Sequence, residues 1–293
     1  ELTRRGVREM IEMIKYGERA YPAVLTEIKN PPKELYYTGD LKILDETCAA
    51  VVGSRTTTAY GRNTAKAIGR KLAGHGVTVV SGMAMGIDTC AHEGALDANG
   101  STVAVLGCGI DICYPPENKS LKAEIERKGL VLSEYPPGTP ADRYNFPNRN
   151  RIISGLSAIT VVVQARNRSG AMITAECAAE QGREVLAVPG NIDSQYNLGN
   201  NKLIKEGAMP VISIDDILEP LGLRQVSPQL AKAKLSDNEY AVFELLRERG
   251  EMSIDEVCIH LDRPPAYVNP IVSVMEMKGF VFSAMGKIFL ANV

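Results

Sequence analysis

The 293-residue chain carries 33 basic and 35 acidic side chains, a formal net charge of −2, and 45% of its residues are hydrophobic. That length and apolar content predict one large domain with a sizeable core and one small one, while no apolar run approaches the ~18 residues of a membrane-spanning helix. The six cysteines (Cys48, Cys90, Cys108, Cys113, Cys177, Cys258) form no C-x-x-C pair, so they read as buried thiols of a reducing compartment, neither a disulfide framework nor a zinc site. Glu1-Leu-Thr-Arg-Arg5 lacks the basic-then-apolar pattern of a secretion signal, and a cytoplasmic protein is the expectation.

In chain order, Arg4 to Gly17 predicts a helix, with Val7, Met10, Ile11 and Ile14 at helical spacing. Tyr21-Pro-Ala-Val-Leu25 and Asn30-Pro-Pro-Lys-Glu-Leu-Tyr-Tyr-Thr-Gly39 are punctuated by prolines and read as an irregular or edge segment. Residues 1–46 are therefore expected to form a lead-in packed on the main domain. From Cys48 the pattern turns regular. Strand candidates at 48–52, 77–81, 102–107, 130–135, 159–164, 184–188 and 209–213 alternate with helices near 60–75, 88–98, 118–128, 148–157, 170–182, 199–206 and 215–221. Near-continuous Val/Ile runs between helices imply a doubly wound α/β domain, 47–222, with a parallel sheet covered on both faces. Residues 223–234 lose the pattern and read as a linker. In 235–293, Ser236-Asp-Asn-Glu239 matches a capping box that opens a helix to Arg249. A second helix from Ser253, a third near 265–278 and a hairpin turning at Met285-Gly286 complete the pattern of a winged helix-turn-helix.

Charge is clustered although the total is near neutral. Thr47 to Ile87 holds no acidic residue but Arg55, Arg62, Lys66, Arg70 and Lys71; Arg143 to Ala175 holds none but Arg143, Arg149, Arg151, Arg166 and Arg168. Ten positive charges in two windows of a −2 chain predict a local anion site, provided folding brings the windows together. The segment Arg143-Tyr-Asn-Phe-Pro-Asn-Arg-Asn-Arg151 adds two aromatics, on which a base can stack, at a helix entry whose free N–H groups suit phosphate.

In such a sheet, ligands bind outside the C-terminal strand ends. Gly53-Ser-Arg55, Ser81-Gly-Met-Ala-Met-Gly-Ile-Asp88, Gly107-Cys-Gly-Ile-Asp111, Gln164-Ala-Arg-Asn-Arg-Ser-Gly170 and Pro189-Gly-Asn191 all follow strand candidates. Ala84 breaks the dinucleotide fingerprint G-x-G-x-x-G and no acidic residue closes that strand, so a bound NAD is not expected. Gly82 and Gly86 can either admit a phosphate to the backbone or simply serve a tight turn. Asp88 and His92, one helical turn apart, fit a structural hydrogen bond better than an acid/base pair. No H-E-x-x-H, G-x-S-x-G or Walker lysine is present, so no catalytic residue, metal or cofactor is assigned. The third helix of 235–293 is poor in cations, and residues 227–293 hold seven basic and nine acidic side chains. That balance favours protein contact over DNA for this module.

Taken together, Gly53-Ser-Arg55, Ser81 to His92, Phe146-Pro-Asn-Arg-Asn-Arg-Ile-Ile-Ser-Gly-Leu-Ser157, Arg168-Ser-Gly-Ala-Met-Ile-Thr-Ala175 and Gly182-Arg-Glu-Val-Leu-Ala-Val-Pro-Gly190 resemble the DprA/Smf family of DNA-processing proteins. The resemblance runs over about 20–221, with a C-terminal winged helix as in many members. It implies an extended Rossmann-like domain that binds single-stranded DNA without an established catalytic activity. It further implies a role in natural transformation: protecting incoming strands, displacing single-strand-binding protein, loading the RecA recombinase and forming a homodimer through that domain. Carried across, Arg55 and Arg143 contact phosphate, and Phe146 stacks a base. Gly82, Gly86 and Asn150 shape the pocket, joined by Gly53, Ser54, Ser81, Arg168, Ser169 and Gly170. Arg149 and Arg151 are expected either at the DNA or in the core. Many members carry an N-terminal helical domain; only 20 residues precede Tyr21, so it is expected to be missing or cut short. The LOG-type phosphoribohydrolases share this fold and form the enzymatic alternative. Their P-G-G-x-G-T-x-x-E loop would fall at Arg168 to Cys177, where the leading Pro-Gly-Gly is missing and Cys177 takes the glutamate's place, with Glu176 and Glu180 nearby.

Overall fold

Strands rich in Val and Ala with no polar alternation can persist only where both faces are covered. The computed structural model, in which residues 11–223, 234–284 and 286–290 are described, builds such a sheet. The chain forms two units, Glu1–Ile217 and Leu218–Val293. The break precedes the expected linker, most of which (224–233) lies outside the described residues.

In the first unit, strands β1 (Glu12–Lys15), β2 (Glu34–Gly39), β3 (Cys48–Gly53), β4 (Thr78–Ser81), β5 (Thr102–Leu106), β6 (Leu130–Ser133), β7 (Ile159–Gln164), β8 (Glu184–Ala187) and β9 (Met209–Pro210) form one sheet. Its order is β1-β2-β6-β5-β4-β3-β7-β8-β9. The pairs from β6 through β9 are parallel, whereas β2 runs antiparallel to β6 and to β1. Helices α1 (Ala23–Thr26), α2 (Ala59–Ala73), α3 (Ile87–Asp97), α4 (Lys119–Lys128), α5 (Asn145–Gly155), α6 (Gly170–Glu180) and α7 (Leu198–Lys205) connect them. Alternation along β5 and β6 separates two cores. Val103, Val105, Leu130 and Leu132 join Ile152 and Ile153 of α5 and Leu156 at its C-terminal cap, while Ala104, Leu106 and Val131 join Leu96 of α3 and Ile125 of α4.

Two segments depart from expectation. Residues 12–15 are strand, not helix: Ile14 is buried against β2, whereas Ile11 and Met13 are exposed, so apolar spacing that fits a helix serves an alternating edge strand. The rest of the predicted helix, 4–10, lies outside the described residues. The segment 34–39, expected to be irregular or an edge, is strand β2, paired with β1 on one side and with Leu130–Ser133 on the other. The last strand stops at Pro210, and 214–218 is a 3₁₀ turn where a helix over 215–221 is expected.

The second unit holds α8 (Asp237–Arg249), α9 (Ile254–Leu261), α10 (Pro265–Met277) and an antiparallel pair, β10 (Val281–Ala284) and β11 (Lys287–Leu290). Capping boxes Ser236/Glu239 and Ser253/Glu256 start α8 and α9. Val242, Phe243, Leu246, Val257, Val268, Val272, Met275, Phe280 and Ile288 close its core. Three helices and a hairpin are the element set of a winged helix.

Candidate nucleic-acid interface

The chain winds outward from β3 through β4, β5 and β6, then returns to lay β7 against the other side of β3. That reversal opens a crevice at the C-terminal ends of β3 and β7. The ladder slips there, between Val52 and Gly53, so Gly53 faces Gln164. Ser54, itself buried, donates its N–H to the Gln164 carbonyl at 2.7 Å. The Gln164 side chain then fixes the whole turn. Its Oε1 accepts from Thr57 Oγ1 at 2.6 Å and from the Thr58 N–H at 3.0 Å, and its Nε2 donates to Asn197 Oδ1 at 3.2 Å. Thr58 in turn caps α2. From below, Gly86 touches the same turn at φ +87°, where a Cβ would stand 2.5 Å from the Ser54 carbonyl oxygen and 2.7 Å from that of Arg55.

The turn displays Arg55 over a cleft of ≈ 580 Å³ whose lining includes Arg143, Phe146, Arg149, Arg166, Ser169 and Gly170. The Arg55 guanidinium lies 5.0 Å from the Phe146 ring centroid. Tyr114 packs on Phe146 as well, with centroids 5.4 Å apart and rings tilted by 31°. The ring is seated against Gly107, where a Cβ would come within 2.7 Å of Phe146 Cδ1. Arg143 lies 4.7 Å from the Tyr144 ring centroid, and Arg166 lies 4.9 Å from that of Tyr196. A guanidinium resting on an aromatic face can keep in-plane donors for phosphate, and among the described residues Arg143 spends only Nη2, on the Tyr144 hydroxyl at 2.7 Å. Ser169 precedes α6 without capping it, and its Oγ is buried with no partner.

Ion pairing divides the ten cations of the two acid-free windows. Lys66 and Arg70 pair with Asp97, Lys71 with Asp215, and Arg151 with Glu134 at 2.5 Å. Among the described residues no carboxylate pairs with Arg55, Arg143, Arg166 or Arg168. The windows thus meet, but through their rim arginines; Arg62, Lys66, Arg70 and Lys71 stay on α2.

Several residues expected at the DNA make inward contacts, although Arg149 and Asn150 also line the cleft. Ser81 donates Oγ to the Val51 carbonyl, and Gly82 donates its N–H to Asp88 Oδ2 at 3.2 Å. A Cβ at Gly82 would lie 2.7 Å from Arg149 Nη2 and 2.8 Å from Asp88 Oδ2, so the close approach of those side chains favours glycine there. Arg149 is 4% exposed and donates Nη1 to the carbonyls of Gly82 and Val105. Its charge borders the cleft while its donors serve the strand ends. Burial pushes Asp88 up to about 6, against the opposing pull of Arg149 and two backbone N–H groups. Burial likewise brings Arg149 down to about 10, with Asp88 working the other way. Asn150 Nδ2 donates to the Gly170 carbonyl, tying α5 to the start of α6. Arg151 faces a different depression with Glu27, Lys29, Cys177 and Glu180, where it holds Glu134 and the Asn30 carbonyl.

His92 is fully buried, with Nδ1 2.7 Å from Thr102 Oγ1. Since the Thr102 hydroxyl donates to the Val79 carbonyl, Nδ1 carries the proton. Burial lowers this imidazole to about 3. Asp88 and His92 therefore serve separate structural networks. Asp88 is the sole carboxylate lining the cleft among the described residues, and Glu176 and Glu180 border other depressions. Asp88 is held by the N–H groups of Gly82 and Ala84. Among the described residues there is also no cluster of His, Cys, Asp and Glu suited to a metal, and no helix long and apolar enough to cross a membrane.

Tyr114, Gln164 and Tyr196 went unassigned in the sequence, and Arg166 entered only as a charge. Each lies on a different connection from its partner, so only the fold reveals the contacts.

The family model for DNA recombination-mediator protein A matches residues 12–222. Protein Smf of Synechocystis is 44% identical over 206 residues, 69% of this chain and 52% of the relative, so the chain spans about half of that protein. The X-ray structure of DNA processing protein A (DprA) from Streptococcus pneumoniae is similar with a TM-score of 0.69 and 41% identity, over 71% of this chain and 74% of that one. DNA processing protein A from Helicobacter pylori, solved in a study of its single-stranded DNA binding mode, has a TM-score of 0.66 and 31% identity, over 73% and 96% respectively.

Proposed function

The chain belongs to the DNA recombination-mediator protein A family, the DprA and Smf proteins, and on that premise we propose that it binds single-stranded DNA across the cleft between β3 and β7. Arg55 and Arg143 take phosphates there, Phe146 stacks a base, and Ser169 and Gly170 offer donors at the start of α6. The observation that carries the reading is the set of rim arginines without carboxylate partners among the described residues, gathered around an aromatic pair. Such a surface recognises backbone and π-faces, so it tolerates any sequence. Binding, not catalysis, is the proposed role, because Asp88, the one carboxylate lining the cleft among the described residues, is buried and already holds Gly82 and Ala84.

Within that reading the protein protects incoming strands during DNA uptake, acts where single-strand-binding protein is displaced, and loads the RecA recombinase as a homodimer. These roles rest on the family resemblance. Fluorescence anisotropy with a labelled oligothymidylate tests the core claim. Affinity should fall with salt at a log–log slope of about −0.7 per phosphate neutralised, and Arg55→Ala or Arg143→Ala should each reduce the slope by roughly that amount. Phe146→Ala should cost about 1–3 kcal/mol of binding. A double Arg55→Ala/Arg143→Ala protein with unchanged affinity and slope would refute the assignment.

A further inference from the structure

The switch-point cleft accounts for Arg55, Arg143 and Phe146, but a similar couple stands on the next strand. Arg166 follows β7, and Tyr196 sits on the loop after β8, the strand paired with β7. Their guanidinium–ring distance of 4.9 Å matches the 5.0 Å of Arg55 and Phe146. We propose that Arg166 and Tyr196 form a second nucleotide subsite, so that a single strand runs along the rim from Phe146 to Tyr196; this rests on the DNA-binding reading of the first site.

Three observations favour a built site over a chance surface contact. The Tyr196 loop is anchored at both ends: Asn201 bonds the N–H and carbonyl of Gly190 at 3.2 and 2.9 Å, and Asn197 Oδ1 accepts from Gln164. Gln164 is also the residue that fixes the Arg55 turn, so one buried side chain sets both subsites in register. Ser169 lines the same cleft as Arg55 and Arg166, and its Oγ does not cap α6, so the N–H groups that open this helix are left for the phosphate joining two nucleotides. Arg166 lines the same cleft as Arg55, and neighbouring strands stand ~5 Å apart, a spacing that an extended strand can bridge with one nucleotide. Arg168, exposed on the same turn and without a carboxylate partner among the described residues, extends the positive rim. Ile192, 88% exposed on the Tyr196 loop, gives an apolar edge beside it.

Stacking on Tyr196 predicts a length effect. A graded series of oligothymidylates should show wild-type affinity rising by roughly ten-fold once the strand reaches both rings. Tyr196→Ala should abolish that rise while leaving the shortest ligands bound as before, and Tyr196→Phe should retain it because the ring remains. Arg166→Ala should lower the salt slope for long ligands. If Tyr196→Ala follows the wild-type length profile while Phe146→Ala has lost affinity, the second subsite is wrong and the first stands. Equal loss at every length would also overturn it, since the loop would then act only through the fold. A wild-type protein that binds no single strand would sink both.

Discussion

Replacing Gly86 by alanine should separate a glycine needed for its torsions from one needed for close approach. Gly86 precedes α3 at φ 87°, ψ −117°, a region that L-residues avoid, and such strain costs about 1–3 kcal/mol. The added Cβ would also press to 2.5 Å from the Ser54 carbonyl oxygen and 2.7 Å from that of Arg55, and both are backbone atoms that cannot swing aside. Gly182 supplies the control. Its φ is +69°, yet a Cβ there would meet nothing within 4 Å, so Gly182→Ala should feel only a left-handed penalty of ~1–2 kcal/mol. Gly86→Ala should lose at least ~1–3 kcal/mol more than that, as overpacked sites do. It should also shift the turn carrying Arg55 and weaken single-strand binding in the population that remains folded. Urea unfolding followed by far-UV circular dichroism gives the first comparison, and anisotropy on an oligothymidylate gives the second. If the two variants are equally stable and bind DNA alike, the contact between Gly86 and the Arg55 turn does not constrain the site.

Further outcomes follow from the buried groups and the second unit. Arg149→Met should destabilise the α/β unit by roughly 3–5 kcal/mol, because it leaves Asp88 and two carbonyls without their cation; a loss under ~1 kcal/mol in urea unfolding would contradict this role. His92 is held near 3, far below its ordinary 6.5, so its contribution is complete above pH 6.5 and is lost as pH falls from there. At pH 5 that loss is about 2 kcal/mol. Asp88, raised from 3.8 to about 6, has the opposite slope: its contribution is complete below pH 3.8 and lost as pH rises through 6. His92→Gln should therefore lose less stability than wild type between pH 7 and pH 5, and equal losses would contradict the assignment. Finally, the full chain and residues 1–225 should bind duplex DNA equally weakly, whereas tight duplex binding lost on truncation would make the second unit a DNA reader.

The buried strands were the most legible part of the chain. Val51, Val80, Val105 and Val162 lie in runs too apolar to be anything but strands covered on both faces, and the loops that follow them do converge. Residues 12–15 misled because so short a segment carries no distinguishable period, and Ile14 alone decides its face. At the site, residue type announced positive charge but not its direction. Arg149 and Arg151 share a helix and a motif with Phe146, yet α5 turns Arg149 toward Val105 and Arg151 toward Glu134. Gln164 was invisible as a positioning residue because an amide ending a buried strand has no sequence signature; its importance comes from two loops, after β3 and after β8, meeting at one side chain.

Arg55 resting against Phe146 has a consequence for which ligands the cleft can select. A flat cation already covers part of the ring that a base is proposed to use, so the empty protein carries its own competitor. A lone nucleobase arriving there gains little, since one planar contact merely replaces another. Under the proposed binding role, a nucleotide gains at two places, because a guanidinium displaced from the ring can turn to its phosphate as the base takes its seat. In that role the couple therefore favours a base that brings its own phosphate over a free base or nucleoside.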